Sequence, residues 1–271
     1  MNVHEQTPRA IDARLELAQG YLDQLDARAA HQSLAASAED RSIEAAYLVQ
    51  DAFHALLRER GHRLVGYKIA LTSKAMQEFC GVDQPLSGVV FEQFVHESPA
   101  TVRLADHRHL GVEFEVAVRL GADLPPASVP HDRDSVAAAV ASCQPAFELV
   151  EDRNADYSTL DAFDLVAENA WNAGVVLGPP VDEWRQIDLE HAVTRLETNG
   201  TFVGEGRTGD ALGHPMDAVA WLANHLNQRG RMLERGQFVM TGSSIVTQFP
   251  EPGDDLEFTI EHLGQISLAC R

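Results

Sequence analysis

Cysteine is scarce in this chain: Cys80, Cys143 and Cys270 are the only three in 271 residues, and none belongs to a Cys-x-x-Cys pair. Neither a disulfide framework nor a thiolate zinc site is suggested, and a reducing compartment fits. Basic residues are also in short supply, 21 Lys plus Arg against 41 Asp plus Glu, for a net charge of −20. So acidic a surface opposes the phosphate backbone, which excludes DNA and RNA as partners. The surplus serves solubility or a saline interior equally well and is no guide to chemistry. No stretch of about 18 apolar residues occurs, and the opening Met-Asn-Val-His-Glu-Gln-Thr-Pro lacks a basic and then an apolar segment. Neither a membrane span nor an export signal is expected, so the expected location is cytoplasmic. Internal repeats and low-complexity linkers are missing too.

What is present is ample core material, 45% hydrophobic residues, enough for one large domain or two small ones. Residues 11–60 show helical periodicity, with Leu15, Leu22 and Leu25 on one segment and Val49, Phe53, Leu56 and Leu57 on another. This gives an N-terminal helical region, residues 1–62, with a connecting loop at 33–40. From residue 63 to 271 the texture changes to short strands separated by Gly, Pro and Asp turns. Strands are predicted at 64–71, 87–95, 112–120, 146–150, 175–177 and 196–200, and near the C-terminus around 237–245, 256–260 and 263–268. Ser73 is a candidate N-cap for a short helix through Phe79, and helices are predicted at 134–142 and 216–228. One α+β unit, a rolled and mostly antiparallel sheet with helices to one side, accommodates these pieces.

Three glutamates carry the chemical signal: Glu113 and Glu115 in Gly111-Val-Glu-Phe-Glu-Val116, and Glu148 in Pro145-Ala-Phe-Glu-Leu-Val150. Side chains alternate faces along a strand, so Glu113 and Glu115 project together while Val112, Phe114, Val116 and Val118 pack behind them. That spacing alone also describes a wet strand face. Glu148 differs, because it interrupts an apolar run that reads as a buried strand, and a buried carboxylate needs a partner or a metal. Like charges aimed at one point repel, and a hard divalent cation relieves them. Mg²⁺ takes oxygen ligands at about 2.0–2.1 Å and keeps positions open for water or substrate, which suits an oxyacid.

The order of the motifs resembles the fumarylacetoacetate hydrolase superfamily, specifically its 2-keto-4-pentenoate hydratase and 4-oxalocrotonate decarboxylase branch, from about Gly66 to the C-terminus. The resemblance is carried by Gly66-Tyr-Lys-Ile-Ala-Leu-Thr-Ser73, Gly81-Val-Asp-Gln-Pro85, Glu113-x-Glu115, Pro145-Ala-Phe-Glu148, Glu151-Asp-Arg153, Glu168-Asn-Ala170, His214-Pro215, Ala220-Trp-Leu-Ala-Asn224 and Gly242-Ser243. It implies that residues 63–271 are a catalytic domain with the superfamily's rolled, mixed sheet. It further implies that Glu113, Glu115 and Glu148 hold Mg²⁺ or Mn²⁺, that Lys68 lines the substrate pocket, and that the chain is at least a homodimer. The chain departs from the vinyl-dienoate hydratases at Glu168-Asn-Ala-Trp171, where they read Asp-Asn-Ala-Ser, so an indole replaces a small hydroxyl. The superfamily's hydrolases use a His–Glu pair, and the nearest histidines here, His62 and His96, sit in no matching motif.

On this reading Lys68 is the catalytic candidate, for proton transfer or to counter substrate charge; otherwise its stem packs and its amine reaches solvent. The substrate-binding candidates are Thr72, Ser73, Arg153, Trp171, Gly242 and Ser243. Arg153 clamps a carboxylate or pairs with Glu151 or Asp152. The hydroxyls of Thr72, Ser73 and Ser243 serve a substrate carboxylate or caps and turns, and Gly242 permits close backbone approach. The implied activity is metal-dependent hydration of a 2-hydroxy-2,4-dienoate or unsaturated 2-oxo acid in aromatic-compound catabolism. Decarboxylation of a vinylogous 2-oxo acid and C–C hydrolysis are the enzymatic alternatives. A non-catalytic subunit paired with an active homologue is the alternative of another class, since hydratases and decarboxylases of this branch form complexes.

Overall fold

The computed structural model describes residues 8–271, so most of the opening segment on which the export expectation rests lies outside it. Two helices come first, α1 (Pro8–Asp26) and α2 (Ile43–Glu59). Ser42 caps α2 by accepting the Ala45 N–H, and Glu44 and Arg58 complement its dipole at the two ends. One face of α2 buries Ala46, Val49, Phe53 and Leu57, and Gln50 reaches across to the carbonyls of Ser87 and Val166 at 2.8 Å each. These helices share one continuous hydrophobic core with the strands. Among the described residues no helix is long and apolar enough to cross a membrane.

The strands form two sheets. The larger uses β1 (Leu64–Ala70), β2 (Leu86–Phe91), β3 (Val95–Glu97), β5 (Leu110–Leu120), β6 (Val140–Glu151), β7 (Asn172–Leu177) and β10 (Phe238–Ser243) in the order β2-β1-β10-β5-β6-β7-β3. The smaller uses β4 (Ala100–Val102), β8 (Val193–Thr198), β9 (Thr201–Arg207), β11 (Asp255–Ile260) and β12 (Gly264–Cys270) in the order β4-β12-β11-β8-β9. Pairing is antiparallel except at β1/β10, β3/β7 and β4/β12, the mixed α+β architecture expected from the sequence. β2 and β3 are joined by only Glu92–Phe94 yet lie at opposite ends of the order. So short a link brings the ends together only if the larger sheet curls, and the roll follows from the connectivity.

Four shorter or later helices complete the chain: α3 (Lys74–Phe79), α4 (Arg133–Ala139), α5 (Ala162–Ala167) and α6 (Pro215–Gln228). Ser73 caps α3 as expected, accepting the Met76 N–H at 3.3 Å. Three expectations differ from the structure. The strand at 87–95 breaks after Phe91, where the chain leaves one edge of the sheet for the other. The helix at 134–142 stops at Ala139, because Val140 and Ser142 pair with Leu120 and Arg119 and the ladder overrides the helix propensity of an alanine run. β9 was not anticipated, since Thr201-Phe-Val-Gly-Glu-Gly-Arg207 is mostly exposed and lacks a buried alternating pattern. Its Gly206 is needed, as a Cβ there would sit 2.1 Å from the Ser244 carbonyl oxygen.

Phe114 on β5, Phe147 on β6 and Phe258 on β11 meet between the two sheets, with ring centroids 5.5 to 6.1 Å apart. Burial of rings like these stabilises the fold by about 1.5–3 kcal/mol each. Phe114 thus faces the second sheet, which leaves its neighbours Glu113 and Glu115 on the concave face of the roll.

Candidate metal centre

Strand register brings the glutamates together. Glu113 on β5 stands directly opposite Glu148 on β6, and Glu115 lies two residues along the same face. One carboxylate oxygen from each of the three lies within 4.8 Å of the others. Glu115 and Glu148 are 1% and 0% exposed, which removes the wet-face reading of the pattern. Like charges facing each other across a ladder destabilise it, more so when buried. The sequence has therefore placed three acids where, without a counter-ion, they cost stability.

Each carboxylate has one oxygen held by a donor. Glu115 Oε2 accepts the Gly242 N–H at 2.7 Å. Glu148 Oε1 lies 3.1 Å from Lys68 Nζ and accepts Asn172 Nδ2–H at 2.9 Å. Glu113 Oε1 accepts the Thr247 hydroxyl at 2.9 Å. The other oxygens of Glu115 and Glu148 are buried without a partner among the described residues. An unpartnered buried carboxylate oxygen is costly, and two beside a third glutamate are what a hard cation with oxygen ligands would satisfy. The donor set fits Mg²⁺ or Mn²⁺, and on this observation Glu113, Glu115 and Glu148 fit the ligand role.

The titration of the group agrees. Burial, then the charges of Glu148 and Glu113, raise Glu115 well above the usual carboxylate range, against the Gly242 N–H and Lys68. Burial also raises Glu148, although Lys68 opposes it. Burial disfavours the Lys68 ammonium, but Glu148, Glu113 and Glu115 outweigh burial and hold its pKa above the ordinary lysine value. Three acids and one base leave a surplus of negative charge, so Glu115, Glu148 and Lys68 each hold a proton more tightly. A dication would reverse that balance.

Lys68, 2% exposed, sits on β1 with its amine turned to Glu148 rather than to solvent. Gly242 has φ +105°, and a Cβ there would meet the Thr72 side chain at 2.4 Å, so Thr72 packs against the glycine that holds Glu115. The hydroxyl of Ser73 is occupied by its cap. Ser243 Oγ accepts the Phe114 N–H at 2.9 Å and donates to the Ile245 carbonyl at 2.7 Å, so it braces the strand end. The Arg153 guanidinium pairs with Glu168 rather than with Glu151 or Asp152, while its backbone N–H donates to Glu151 Oε1 at 3.2 Å, and the residue lines a cavity of about 290 Å³ together with His62, Phe91, Trp171 and Asn172. His62 packs on Phe91 and Phe94 and His96 is exposed on β3; neither bonds a glutamate of the cluster.

Trp171 and Asn172 are presented by an unusual turn. Asn169, Ala170 and Trp171 have φ of 59°, 48° and 57°, three successive left-handed residues, each costly for a side chain with a Cβ. Asn169 holds the turn: its Oδ1 accepts the Val89 N–H at 2.7 Å and bonds His54 Nε2 at 2.8 Å, while its Nδ2–H donates to the Val89 carbonyl. Trp171 makes edge contacts with His31 and Tyr157 at 5.5 and 6.0 Å. Asn172, which follows the Glu168-Asn-Ala-Trp171 motif and was not among the candidates, is a partner of Glu148. Thr247 carried no signal at all, lying outside the predicted strands and 134 residues beyond the glutamate it touches.

A mixed sheet rolled around three converging carboxylates and a buried lysine defines a class, an α+β protein with an internal site able to hold a divalent cation. The chain belongs to the fumarylacetoacetate hydrolase family, since residues 68–269 match the family described as fumarylacetoacetate (FAA) hydrolase C-terminal. It is 35% identical over 198 residues to a 2-keto-4-pentenoate hydratase of Burkholderia vietnamiensis strain G4, covering 73% of this chain and 74% of that protein. Over 228 residues it is 34% identical to a 2-hydroxyhexa-2,4-dienoate hydratase of Comamonas testosteroni, covering 81% and 85%. Its fold is similar, at a TM-score of 0.90 and 27% identity, to the structure of 4-oxalocrotonate decarboxylase from Pseudomonas putida G7 complexed with magnesium and adipate, covering 96% of this chain and 98% of that one.

Proposed function

We propose that this protein is a divalent-metal-dependent hydratase that adds water to a 2-hydroxy-2,4-dienoate or unsaturated 2-oxo acid in aromatic-compound catabolism. The observation that carries the reading is the donor pattern of the cluster: each glutamate has one oxygen held by a donor, Glu115 and Glu148 each keep a buried oxygen without a partner among the described residues, and one oxygen from each of the three lies within 4.8 Å of the others. Its similarity to two hydratases of dienoic and keto acids supports the substrate class. Glu113, Glu115 and Glu148 would hold Mg²⁺ or Mn²⁺, which would supply Lewis-acid stabilisation of negative charge developing on a 2-oxo acid.

The residues of the chain do the rest. Lys68, protonated and 3.1 Å from Glu148, would deliver a proton to the dienol and offset the charge of a bound carboxylate. Protonation of the terminal carbon, with loss of the C2 hydroxyl proton, gives an α,β-unsaturated 2-oxo acid; water then bonds to the carbon β to the ketone and gives up one proton as the α carbon gains one. Asn172 fixes Glu148 and Gly242 fixes Glu115, and Trp171, which lines a cavity next to Asn172, would limit the length of a substrate reaching that side. Thr72, Ser73, Arg153 and Ser243 would contribute through the packing, capping and ion pairing described above rather than as open donors.

A second reading, loss of CO₂ from a vinylogous 2-oxo acid, is favoured by the fold similarity to a decarboxylase over nearly the whole chain. Incubation with Mg²⁺ and either 2-hydroxypenta-2,4-dienoate or 2-oxohex-3-enedioate separates the two. The hydratase reading predicts loss of dienol absorbance with the first and no CO₂ from the second. CO₂ from the second alone establishes the decarboxylase. Turnover of neither by metal-loaded protein overturns both and favours a non-catalytic partner subunit.

A further inference from the structure

β10 ends with Ser243 opposite Glu115, and the chain rejoins β5 where Gln248 stands opposite Val112. Between these points β5 advances three residues and the returning segment five, so the segment bulges. The bulge pushes Val246 into solvent, 81% exposed, and turns the Thr247 hydroxyl onto Glu113 Oε1 at 2.9 Å. The segment is anchored without that hydroxyl. Val112 and Gln248 exchange both backbone hydrogen bonds at 2.8 and 3.0 Å, Phe249 stacks on His109 with ring centroids 4.4 Å apart, and the Thr247 methyl fills the space beside Gly111.

Glu113 has no such redundancy. It is the least buried of the three glutamates, and its carboxylate accepts one hydrogen bond among the described residues, from Thr247. Glu115 is held by a backbone N–H, and Glu148 by Lys68 together with Asn172. A carboxylate at the end of a half-exposed side chain rotates freely unless a neighbour fixes it, and outer partners of this kind tune metal affinity by about 10–100-fold.

We infer that Thr247 is a positioning residue of the metal centre: its hydroxyl holds one oxygen of Glu113 and thereby leaves the other for the point shared by Glu115 and Glu148. The inference rests on the reading of the three glutamates as cation ligands. It assigns a metal-site role to a bulge outside the regular strands and explains why a threonine there is oriented inward between two exposed neighbours, Val246 and Phe249.

The test is calorimetric titration of Mg²⁺ into metal-free wild type, Thr247→Val and Thr247→Ser, with thermal unfolding of each measured in chelator. Valine keeps the shape and removes the hydroxyl; serine keeps the hydroxyl. The expected result is an affinity weakened by about 10–100-fold in Thr247→Val, restored in Thr247→Ser, with metal-free melting temperatures alike in all three. Wild-type affinity in Thr247→Val overturns the inference while leaving the glutamate site intact, as does weakened binding matched by a fall in metal-free stability. Absence of Mg²⁺ binding by the wild type overturns the ligand reading and this inference together.

Discussion

Glu115 is the residue where stability and function pull hardest against each other. Its charge is buried beside two others, so removing that charge should stabilise the metal-free fold. Glu115→Gln keeps the shape and the acceptor for Gly242, and the expected gain is about 1–3 kcal/mol in urea unfolding in the presence of chelator; a loss of stability would show that the cluster is not repulsive. His54 gives a separate pH signature. Burial lowers its pKa from 6.5 to about 3, with the Asn169 hydrogen bond opposing the shift. The unfolded histidine binds a proton below about pH 6.5 and the native one does not until about pH 3, so this contribution is complete above pH 6.5 and is lost as pH falls toward 3. The raised carboxyl of Glu115 acts in the opposite sense, since the native state then holds a proton that the unfolded chain releases as pH rises. Comparing His54→Gln with wild type isolates the histidine: the wild type should lose up to about 1.4 kcal/mol more per pH unit across that window, and parallel curves would contradict its neutral burial.

Among the elements, the turn at 169–171 and the end of β10 do most to shape the site. Gly242→Ala adds a Cβ at φ +105° into Thr72, so it should cost about 1–3 kcal/mol in denaturant unfolding and weaken Mg²⁺ binding by shifting the N–H away from Glu115. An unchanged stability would mean the backbone is not held as described. The same two elements show what was readable beforehand. Local rules act within a few residues, so alternation paired Glu113 with Glu115, the break in an apolar run exposed Glu148 as odd, and Ser73 was legible as a cap. Motif order added Lys68 and Gly242. Nothing local announced that Thr247 would meet Glu113, that β9 would form from a mostly exposed polar stretch, or that three left-handed residues would carry Trp171, because each depends on partners far along the chain. The helix overrun at 140–142 has the same origin, a distant strand outcompeting local propensity.

For the whole molecule, the roll makes the two sheets and the N-terminal helices interdependent. Phe258 lies between the sheets, and one hydrophobic core continues from Ala18 on α1 to Cys270 on β12. Phe258→Ala should therefore cost about 3–5 kcal/mol, with helix and sheet signals lost in one transition; a separate early loss of helix would contradict the shared core. The central claim is the cation site itself, and one titration tests it. Mg²⁺ added in a calorimeter to metal-free wild type should bind at one ion per chain, and Glu148→Gln should weaken that binding by more than about 100-fold, beyond the usual effect of an outer partner. Equal affinity in the two proteins would contradict the account.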